Sequence, residues 1–374
     1  MKTLFIVVNE DRFLLSHRRE IVERAIAEGY AVTVVAKDTG LRENITNLGA
    51  RFIELPVNPT GTNILQELKT LIFLVKLFKK EQPNIIHNVG LKCILWGGLA
   101  ARLTNISLVV NAVSGLGVMF SERELSLYTK LILRVIRFSN MKDKSVYIFQ
   151  NNEDRDIFIS NGVINEKQCR FTKGSGINLD EYVATLEPED GKIIILFTGR
   201  MVEEKGVIVL IEAANILRHK YQDKVVFRLC GGLSDNPKAL TKEELISRCD
   251  NKYIQWLGHR TDIKELLQQS HIVTFPSYYR EGLPKSLIEA CASARPIITT
   301  DSVGCRDCVN DGVNGFKIPI KDAHALASKL EILIGDKALR QQMGIESRKM
   351  AERDFAVEHV VETHINIYNQ LDVQ

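Results

Sequence analysis

Two glutamates eight residues apart, Glu281 and Glu289, form the pattern in this sequence that most suggests chemistry. Glu281 follows the strand-like run IVTFPS, and Glu289 lies in a helix that should begin near Pro284, because proline suits a first helical turn. Backbone N–H groups at the start of a helix bind anions. Two carboxylates beside an anion site suit a ligand with hydroxyls at both ends and phosphates in the middle, which is the form of a nucleotide-sugar. The pattern Glu-x7-Glu is nevertheless common by chance, and a glutamate on a helix face is usually solvated.

Two basic residues follow the first expected strand of the second half, in the segment FTGRMVEEKGV. Gly199 ends the strand, so Arg200 and Lys205 would project from its carboxyl end, where ligands bind in doubly wound sheets. Two cations at this place would neutralise a diphosphate leaving group as a glycosidic bond breaks. An ordinary loop with solvated charges explains this segment equally well.

Two more strand ends carry candidate binding residues. Gly231, in the run CGG, would let a ligand approach the backbone closely. In the segment WLGHRTDI, the backbone around His259 and Arg260 could contact the edge of a uracil ring. The alternative is a plain turn from strand to helix, capped by Thr261 or Asp262.

Short apolar runs that alternate with helical patterns predict an α/β fold with parallel sheets covered on both faces. The alternation begins again in the second half, and the length of 374 residues favours two domains. We therefore expect two Rossmann-like, doubly wound domains at 1–175 and 176–354. The segment 355–374 should be a helix that returns to the first domain.

The motifs of the second half occur in a specific order. They are GR-x4-KG, GG, LG-x-R-x-D, PS-x3-EGLP-x3-IEA and G-x-R-x3-N-x-G-x-NGF. This order closely resembles the retaining glycosyltransferases of family 4, and the resemblance extends over the whole chain. Those enzymes have the GT-B fold, in which two Rossmann-like domains face each other across a cleft. The stretches RFLLSHRREIVERAIAEGYAV and VVNAVSGLGVMF resemble the branch that adds sugars to lipid-linked saccharides during bacterial capsule, O-antigen or glycan assembly.

The resemblance implies roles for these residues. Arg200 and Lys205 would hold the diphosphate and, with Glu281, would be the catalytic residues. Glu281 would contact hydroxyls of the donor sugar without acting as a nucleophile, and Glu289 would bind the ribose hydroxyls. The other donor-binding residues that the resemblance implies are Gly174, Gly176, Gly199, Gly231, His259, Arg260, Gly282, Leu283, Pro284, Lys285 and Ser286.

Two departures from the family bear on the site. Ala294 stands where relatives usually have a glycine after the helix, and alanine tolerates a left-handed helix cap poorly. After the first strand, NEDRFLLSHR replaces a Gly-Gly turn, so a close backbone approach to the donor phosphate is less secure. His17 and Arg18, at the start of the expected first helix, would then meet the acceptor's diphosphate or its reacting hydroxyl. Alternatively, His17 is a structural cap. Further contacts to the acceptor, or alternatively to the donor sugar, are expected at the end of another strand, at Asn111, Ser114, Gly115 and Gly117.

We expect no metal and no cofactor, since the nucleotide-sugar is a substrate. Asp154 and Asp156 form a DxD pattern like the metal motif of other glycosyltransferases, but they begin a helix, where aspartate interacts favourably with the helix dipole. Cys305 and Cys308 form a CxxC without a second Cys or His pair at zinc spacing. The net charge of +3 is too small to suggest nucleic-acid binding.

The first half of the chain is the more basic half. Residues 1–185 contain 24 Lys and Arg against 19 Asp and Glu, whereas residues 186–374 contain 25 against 27. Two apolar stretches with interspersed basic residues, 65–83 and 124–144, could lie as helices on an anionic membrane surface. The alternative is that each packs on a sheet with a basic outer face. The second stretch contains Lys130, Arg134, Arg137, Lys142 and Lys144.

These patterns predict a metal-independent, retaining glycosyltransferase in the cytoplasm, peripheral on the inner face of the cytoplasmic membrane. It would move a sugar from a UDP-sugar, such as UDP-GalNAc, UDP-Gal or UDP-GlcNAc, to an undecaprenyl-diphosphate-linked saccharide. A same-face displacement, in which the leaving phosphate deprotonates the acceptor, fits the lack of a clear carboxylate nucleophile. Two alternatives are a UDP-sugar 2-epimerase of similar fold, against which the EGLP segment argues, and a non-catalytic nucleotide-sugar sensor.

Overall fold

The computed structural model forms two compact units, each with its own parallel sheet and its own core. The first unit runs to Ser175 and resumes at Val357, and the second extends from Gly176 to Ala356. The structure describes residues 2–58, 63–106, 108–117, 120, 125–141, 144–234 and 239–370. Lys142, one of the basic residues of the stretch 124–144, lies outside these ranges.

The described strands of the first unit are rich in β-branched residues, which suits strands covered by helices on both faces. They are β1 (Thr3–Glu10), β2 (Ala31–Lys37), β3 (Arg51–Glu54), β4 (Ile85–Val89), β5 (Leu108–Ala112), β6 (Ser145–Phe149) and β7 (Cys169–Phe171). All pairs are parallel, in the order β3-β2-β1-β4-β5-β6-β7. The strand order therefore reverses between β1 and β4, as in a doubly wound sheet.

Helices connect these strands, and several begin with a side-chain cap. Asn63 and Ser126 accept hydrogen bonds from backbone N–H groups of the first turns of the fourth and sixth helices. The helices are α1 (Asp11–His17), α2 (Arg19–Ala27), α3 (Arg42–Asn47), α4 (Ile64–Glu81), α5 (Leu91–Leu103), α6 (Leu127–Ser139) and α7 (Asn152–Ser160).

The second unit repeats the topology. Its described strands are β8 (Ile193–Thr198), β9 (Val225–Cys230), β10 (Ile254–Gly258), β11 (Ile272–Phe275), β12 (Ile297–Thr300) and β13 (Gly315–Ile318). They lie in the parallel order β10-β9-β8-β11-β12-β13, so the reversal falls between β8 and β11. The helices are α8 (Val207–Tyr221), α9 (Lys242–Arg248), α10 (Ile263–Gln268), α11 (Lys285–Ala292), α12 (Ala323–Gly335) and α13 (Lys337–Met350). The predicted α/β class, with two doubly wound sheets, is confirmed.

The last helix, α14 (Val357–Gln370), packs on the first unit. Its apolar residues, among them Val360 and Ile365, are buried in the same core as β1 and β2. The hydroxyl of Tyr368 lies 2.7 Å from His87 Nδ1 on β4, and Tyr30 donates a hydrogen bond of 2.7 Å to Asn369. The chain thus returns to the first unit through both apolar packing and specific polar contacts.

Candidate functional site

The carboxyl ends of β8 and β11 lie side by side in the second unit, because the strand order reverses between these two strands. Gly199 and Arg200 follow β8, whereas Pro276 and Ser277 follow β11. In open α/β sheets, ligands bind at the point where the strand order reverses. This edge of the sheet is therefore the candidate site of the second unit.

Two glycines allow the backbone segments at this edge to approach closely. Gly206 has a φ of +80°, and a Cβ atom there would lie 2.1 Å from the carbonyl oxygen of Pro276. A Cβ atom on Gly231 would lie 1.7 Å from the carbonyl oxygen of Gly199. No side chain fits at either place. Gly206 is also the N-cap residue of α8 and directly follows Lys205, so this packing fixes the position of Lys205 at the edge.

Lys205 and Glu281 form an ion pair at the same edge, with side chains that are only 12% and 11% exposed. Ser277 Oγ donates a hydrogen bond of 3.1 Å to Glu281 Oε1. Lys205 Nζ also lies 5.0 Å from the ring centroid of Tyr279 and 5.3 Å from that of Phe275. The carboxylate and the two rings hold the ammonium group in one place, so the structure brings two of the three predicted catalytic residues together.

Arg200, the third predicted catalytic residue, is exposed at the end of β8. Its guanidinium makes no hydrogen bond or ion pair with any residue that the structure describes. Burial raises the pKa of Tyr279, and the positive charge of Arg200 opposes that shift. Arg200 therefore lies near the ring that contacts Lys205 and is exposed to solvent.

The segment from Gly282 to Ser286 connects the Glu281 carboxylate to α11. Pro284 occupies the N-cap position and α11 begins at Lys285, so the predicted helix start is confirmed. The first N–H groups of a helix have no partner inside the helix, and the helix dipole places partial positive charge there. The start of α11 is thus a suitable anion site beside the Lys205–Glu281 pair.

Glu289 is buried within α11 and is not a solvated residue of a helix face, since its exposure is 9%. Its Oε1 atom accepts a hydrogen bond of 2.8 Å from the hydroxyl of Tyr182. Burial raises the pKa of the Glu289 carboxyl, against the influence of Lys285, Tyr182 and Lys264. Tyr182 was not predicted as a site residue. The segment KGSGINLDEY contains it, but no local pattern marks the hydroxyl as a partner of Glu289.

The turn after β10 holds His259 and Arg260, and both side chains are exposed. Arg260 Nε donates a hydrogen bond of 2.7 Å to Asp262, so its guanidinium is engaged. Asp262 is the N-cap residue of α10, but its side chain makes no capping hydrogen bond. The predicted contact with the edge of a uracil ring would therefore be made by backbone atoms of this turn. Gly174 and Gly176 lie on either side of the unit boundary, with φ values of +70° and +71°.

In the first unit, Arg18 is a buried cation, with an exposure of 2%. Its guanidinium donates to the carbonyl oxygen of His17 at 2.8 Å and to Ser114 Oγ at 3.3 Å. Burial lowers the pKa of Arg18 to about 10, against the influence of Tyr368 and Glu20. Arg18 thus connects the loop of Ser114 to the junction of α1 and α2 through hydrogen bonds, and its side chain is not exposed to solvent.

His17 ends α1, so the expectation that it opens the first helix is wrong. The reason is α1 itself, whose first residue, Asp11, is buried and accepts backbone hydrogen bonds from Thr39 and Leu41. The His17 ring stacks on Phe13, with ring centroids 4.2 Å apart.

The remaining acceptor candidates follow β5. Asn111 is buried and accepts a hydrogen bond of 3.0 Å from Asn88 on β4, so it lies inside the sheet. Gly115 and Gly117, in the loop after it, have φ values of +97° and +70°. The structure therefore places Asn111 in the interior and Ser114 with the two glycines in the loop.

Asp154 of the DxD pattern and both cysteines of the CxxC pattern are buried. The backbone N–H of Asp154 donates to Asn151 at 2.8 Å, which caps α7, and Cys305 and Cys308 are buried thiols. Within the part of the chain that the structure describes, no three His, Cys, Asp or Glu residues are grouped so as to hold a metal ion. None of the described helices is long and apolar enough to cross a membrane.

Both units are similar to known protein families. Residues 4–151 match the family described as "Glycosyl transferase 4-like", and residues 180–350 match "Glycosyl transferases group 1". The structure of a glycosyltransferase from Rickettsia africae has a TM-score of 0.78 and 21% identity, over 99% of this chain and 98% of that one. The fold of this chain is accordingly GT-B. The first unit is thus similar to glycosyltransferase 4-like domains, and the second unit is similar to glycosyltransferase group 1 domains.

Among the relatives that cover most of the chain are two transferases named for diphospho-undecaprenol substrates. One is the N,N'-diacetylbacillosaminyl-diphospho-undecaprenol alpha-1,3-N-acetylgalactosaminyltransferase of Campylobacter jejuni, 29% identical over 83% of each chain. The other is the UDP-Gal:alpha-D-GlcNAc-diphosphoundecaprenol alpha-1,3-galactosyltransferase of Escherichia coli, 26% identical over 83% of this chain and 82% of its own length.

Proposed function

We propose that this protein is a retaining glycosyltransferase that transfers a sugar from a UDP-sugar to an undecaprenyl-diphosphate-linked saccharide. The observation that carries the proposal is the ion pair of Lys205 and Glu281 at the carboxyl ends of β8 and β11. The pair combines a fixed cation, suited to a diphosphate, with a fixed carboxylate, suited to sugar hydroxyls. The names of the two relatives support the substrate classes, since both are named for diphospho-undecaprenol substrates and one for UDP-Gal.

In the proposed mechanism, Lys205 and Arg200 stabilise the leaving diphosphate. An ammonium group has three N–H donors, so Lys205 can keep its bond to Glu281 while it donates to phosphate oxygens. The planar guanidinium of Arg200 can form two parallel hydrogen bonds to the same diphosphate. Their charges stabilise the negative charge that develops as the bond between the anomeric carbon and the phosphate oxygen breaks.

The acceptor hydroxyl then attacks the anomeric carbon from the face that the phosphate leaves. The departing phosphate oxygen takes the proton of that hydroxyl, so no separate carboxylate nucleophile is required. Glu281 holds hydroxyls of the donor sugar and stabilises the positive charge of its transition state. Because bond making and bond breaking occur on one face, the anomeric configuration is retained.

The direct test is transfer by the purified full-length protein from UDP-GalNAc, UDP-Gal or UDP-GlcNAc to a synthetic polyprenyl-diphosphate saccharide. We expect a product with the anomeric configuration of the donor, measured by NMR, and equal yield with a metal chelator. An inverted product would contradict the retaining mechanism. Nucleotide binding without turnover on any lipid-linked acceptor would instead indicate a nucleotide-sugar sensor.

We further propose that the protein contacts an anionic membrane through its first unit. The exposed residues of α4 and α6 form what we call the basic apolar surface, with α5 packed between these two helices. On α6, Leu127, Leu131 and Phe138 are 85%, 56% and 56% exposed, and Lys130 and Arg134 are exposed beside them. Apolar side chains among cations suit insertion between negatively charged lipid headgroups.

On α4, the corresponding apolar residues are Ile64, Leu65, Leu68 and Ile72, with exposures of 74%, 70%, 45% and 53%. Lys69 and Lys76 are exposed on the same helix. A protein surface with this many large exposed apolar side chains usually binds another protein or a membrane. A lipid-linked acceptor would bring such a partner, the membrane, close to the enzyme.

A further inference from the structure

A hydrogen bond joins Tyr182 to Glu289 inside the second unit, although 107 residues separate them in the chain. The Tyr182 hydroxyl donates to Glu289 Oε1 at 2.8 Å. A carboxylate as buried as this one is costly unless donors satisfy its oxygens. None of the residues that the structure describes donates a hydrogen bond to the second oxygen, Oε2. The contact therefore orients the carboxylate and leaves one oxygen for another donor.

Titratable groups on α10, α11 and β9 interact electrostatically with Glu289. Lys285 lies on α11 itself, Lys264 lies on α10, and Cys230 ends β9. Lys264 Nζ is 5.3 Å from the ring centroid of Tyr182 and 2.5 Å from the carboxylate of Glu181. Lys264 thus supports the Tyr182 ring on one side, and both lysines favour the charged form of Glu289.

We propose that Tyr182 is a positioning residue that orients Glu289 to receive the 2′- and 3′-hydroxyls of a ribose. The site would thereby select ribonucleoside diphosphates over 2′-deoxyribonucleoside diphosphates. This inference rests on the proposed function, in which the donor is a UDP-sugar and therefore contains a ribose. A vicinal diol donates two hydrogen bonds to an oriented carboxylate, whereas a 2′-deoxyribose donates one and leaves a buried acceptor unsatisfied.

The pH dependence of binding distinguishes this role from a merely structural one. The carboxylate form of Glu289 accepts both hydroxyls, so UDP affinity should rise with pH through the pKa of Glu289, which burial raises, and level off above it. The Tyr182 hydroxyl lowers that pKa because it stabilises the anion. Tyr182→Phe should therefore move the midpoint to higher pH.

The measurement is isothermal titration calorimetry of the full-length protein with UDP and with 2′-deoxy-UDP, between about pH 5 and pH 8. Wild-type protein should bind UDP roughly 10-fold more tightly than 2′-deoxy-UDP. Tyr182→Phe should weaken UDP binding about 3- to 10-fold and 2′-deoxy-UDP binding less. Phosphate groups also titrate near pH 6. The pH dependence of UDP affinity is therefore measured for Glu289→Gln as well, since that variant lacks the contribution of a titrating residue 289.

Tyr221→Phe is the matched control, since it removes a tyrosine-to-glutamate hydrogen bond, 3.1 Å to Glu331, on other helices of the same unit. It should leave both affinities and the midpoint unchanged. If Tyr182→Phe lowers the melting temperature so far that binding cannot be measured, Glu289→Gln tests the inference, because it must lose the preference for UDP.

The outcomes separate the two proposals. Wild-type protein with no affinity for any nucleoside diphosphate would overturn the proposed function. Wild-type protein that binds UDP, with a Tyr182→Phe variant unchanged in affinity and midpoint, would overturn the role of Tyr182 alone. An equal loss for both ligands without a shift of the midpoint would likewise assign Tyr182 a structural role.

Discussion

Among single residues, Lys205 and Glu281 form an ion pair that combines two proposed roles, the binding of the diphosphate and the binding of the sugar hydroxyls. The pair is largely buried, and Ser277 adds a hydrogen bond to the carboxylate. A diphosphate ligand would share the Lys205 ammonium with Glu281, so the two residues act as a unit. In the proposed mechanism, removal of the cation would affect both the leaving group and the orientation of the donor sugar.

We predict that Lys205→Ala lowers the rate of sugar transfer by roughly two to three orders of magnitude, the scale of a lost charge-stabilising group. The measurement is turnover at saturating donor and acceptor, with the melting temperature recorded because the variant leaves a buried carboxylate without its cation. Lys220→Ala, which removes the exposed ion pair with Glu331, should leave turnover unchanged. Near-normal turnover of Lys205→Ala would remove Lys205 from the phosphate site.

At the scale of elements, the end of α11 contains a residue in a conformation that it does not favour. Arg295 N donates to Ala290 O at 3.0 Å and Ala294 N donates to Cys291 O at 3.1 Å, which is the Schellman pattern. Ala294 has a φ of +56°, in the left-handed region. Ala294, where the sequence departs from the glycine usual in the family, thus occupies the C′ position of α11 in a left-handed conformation. This position directly follows the helix that contains Glu289.

Ala294→Gly should raise the free energy of unfolding by about 1 kcal/mol, because glycine has no Cβ atom to oppose a left-handed conformation. The readout is the urea midpoint of the transition that unfolds the second unit. Ala338→Gly, at an exposed position of α13, is the control with the opposite sign, since glycine is less favourable than alanine within a right-handed helix. An unchanged or lower midpoint for Ala294→Gly would show that the cap carries no strain.

At the scale of the whole molecule, the basic apolar surface of α4 and α6 predicts attraction to anionic lipids. Arg134/Arg137→Glu reverses two charges on α6 and should reduce co-sedimentation with anionic vesicles, because each basic residue near such a surface contributes about 1 kcal/mol. The effect should shrink at high salt. Lys242/Arg248→Glu on α9 of the second unit is the matched control and should sediment like wild type. Equal recovery of all forms in the supernatant would contradict the membrane contact.

Local patterns in the sequence were sufficient to predict most of the strands and helices and the start of α11. The alternation of apolar runs and helical patterns predicted both doubly wound sheets, since side-chain periodicity is encoded within a few neighbouring residues. The position of Pro284 marked the start of α11, because proline fits only certain helical positions. By contrast, α1 was missed, since its first residue, Asp11, is held by contacts to the distant loop of Thr39 and Leu41.

The contacts that join the site depended on strand order and burial, which local patterns do not encode. Lys205 and Glu281 are 76 residues apart in the chain and meet because β8 lies beside β11. The sequence predicted that Arg18 contacts the acceptor, yet Arg18 is buried near Tyr368 of α14 and bonded to Ser114. The partnership of Tyr182 with Glu289 carried no signal in the sequence at all, because a tyrosine hydroxyl has no periodic or spacing pattern. Residue types and spacing therefore suggested the chemistry that we propose, whereas the tertiary packing determined which groups lie together and which charges are buried.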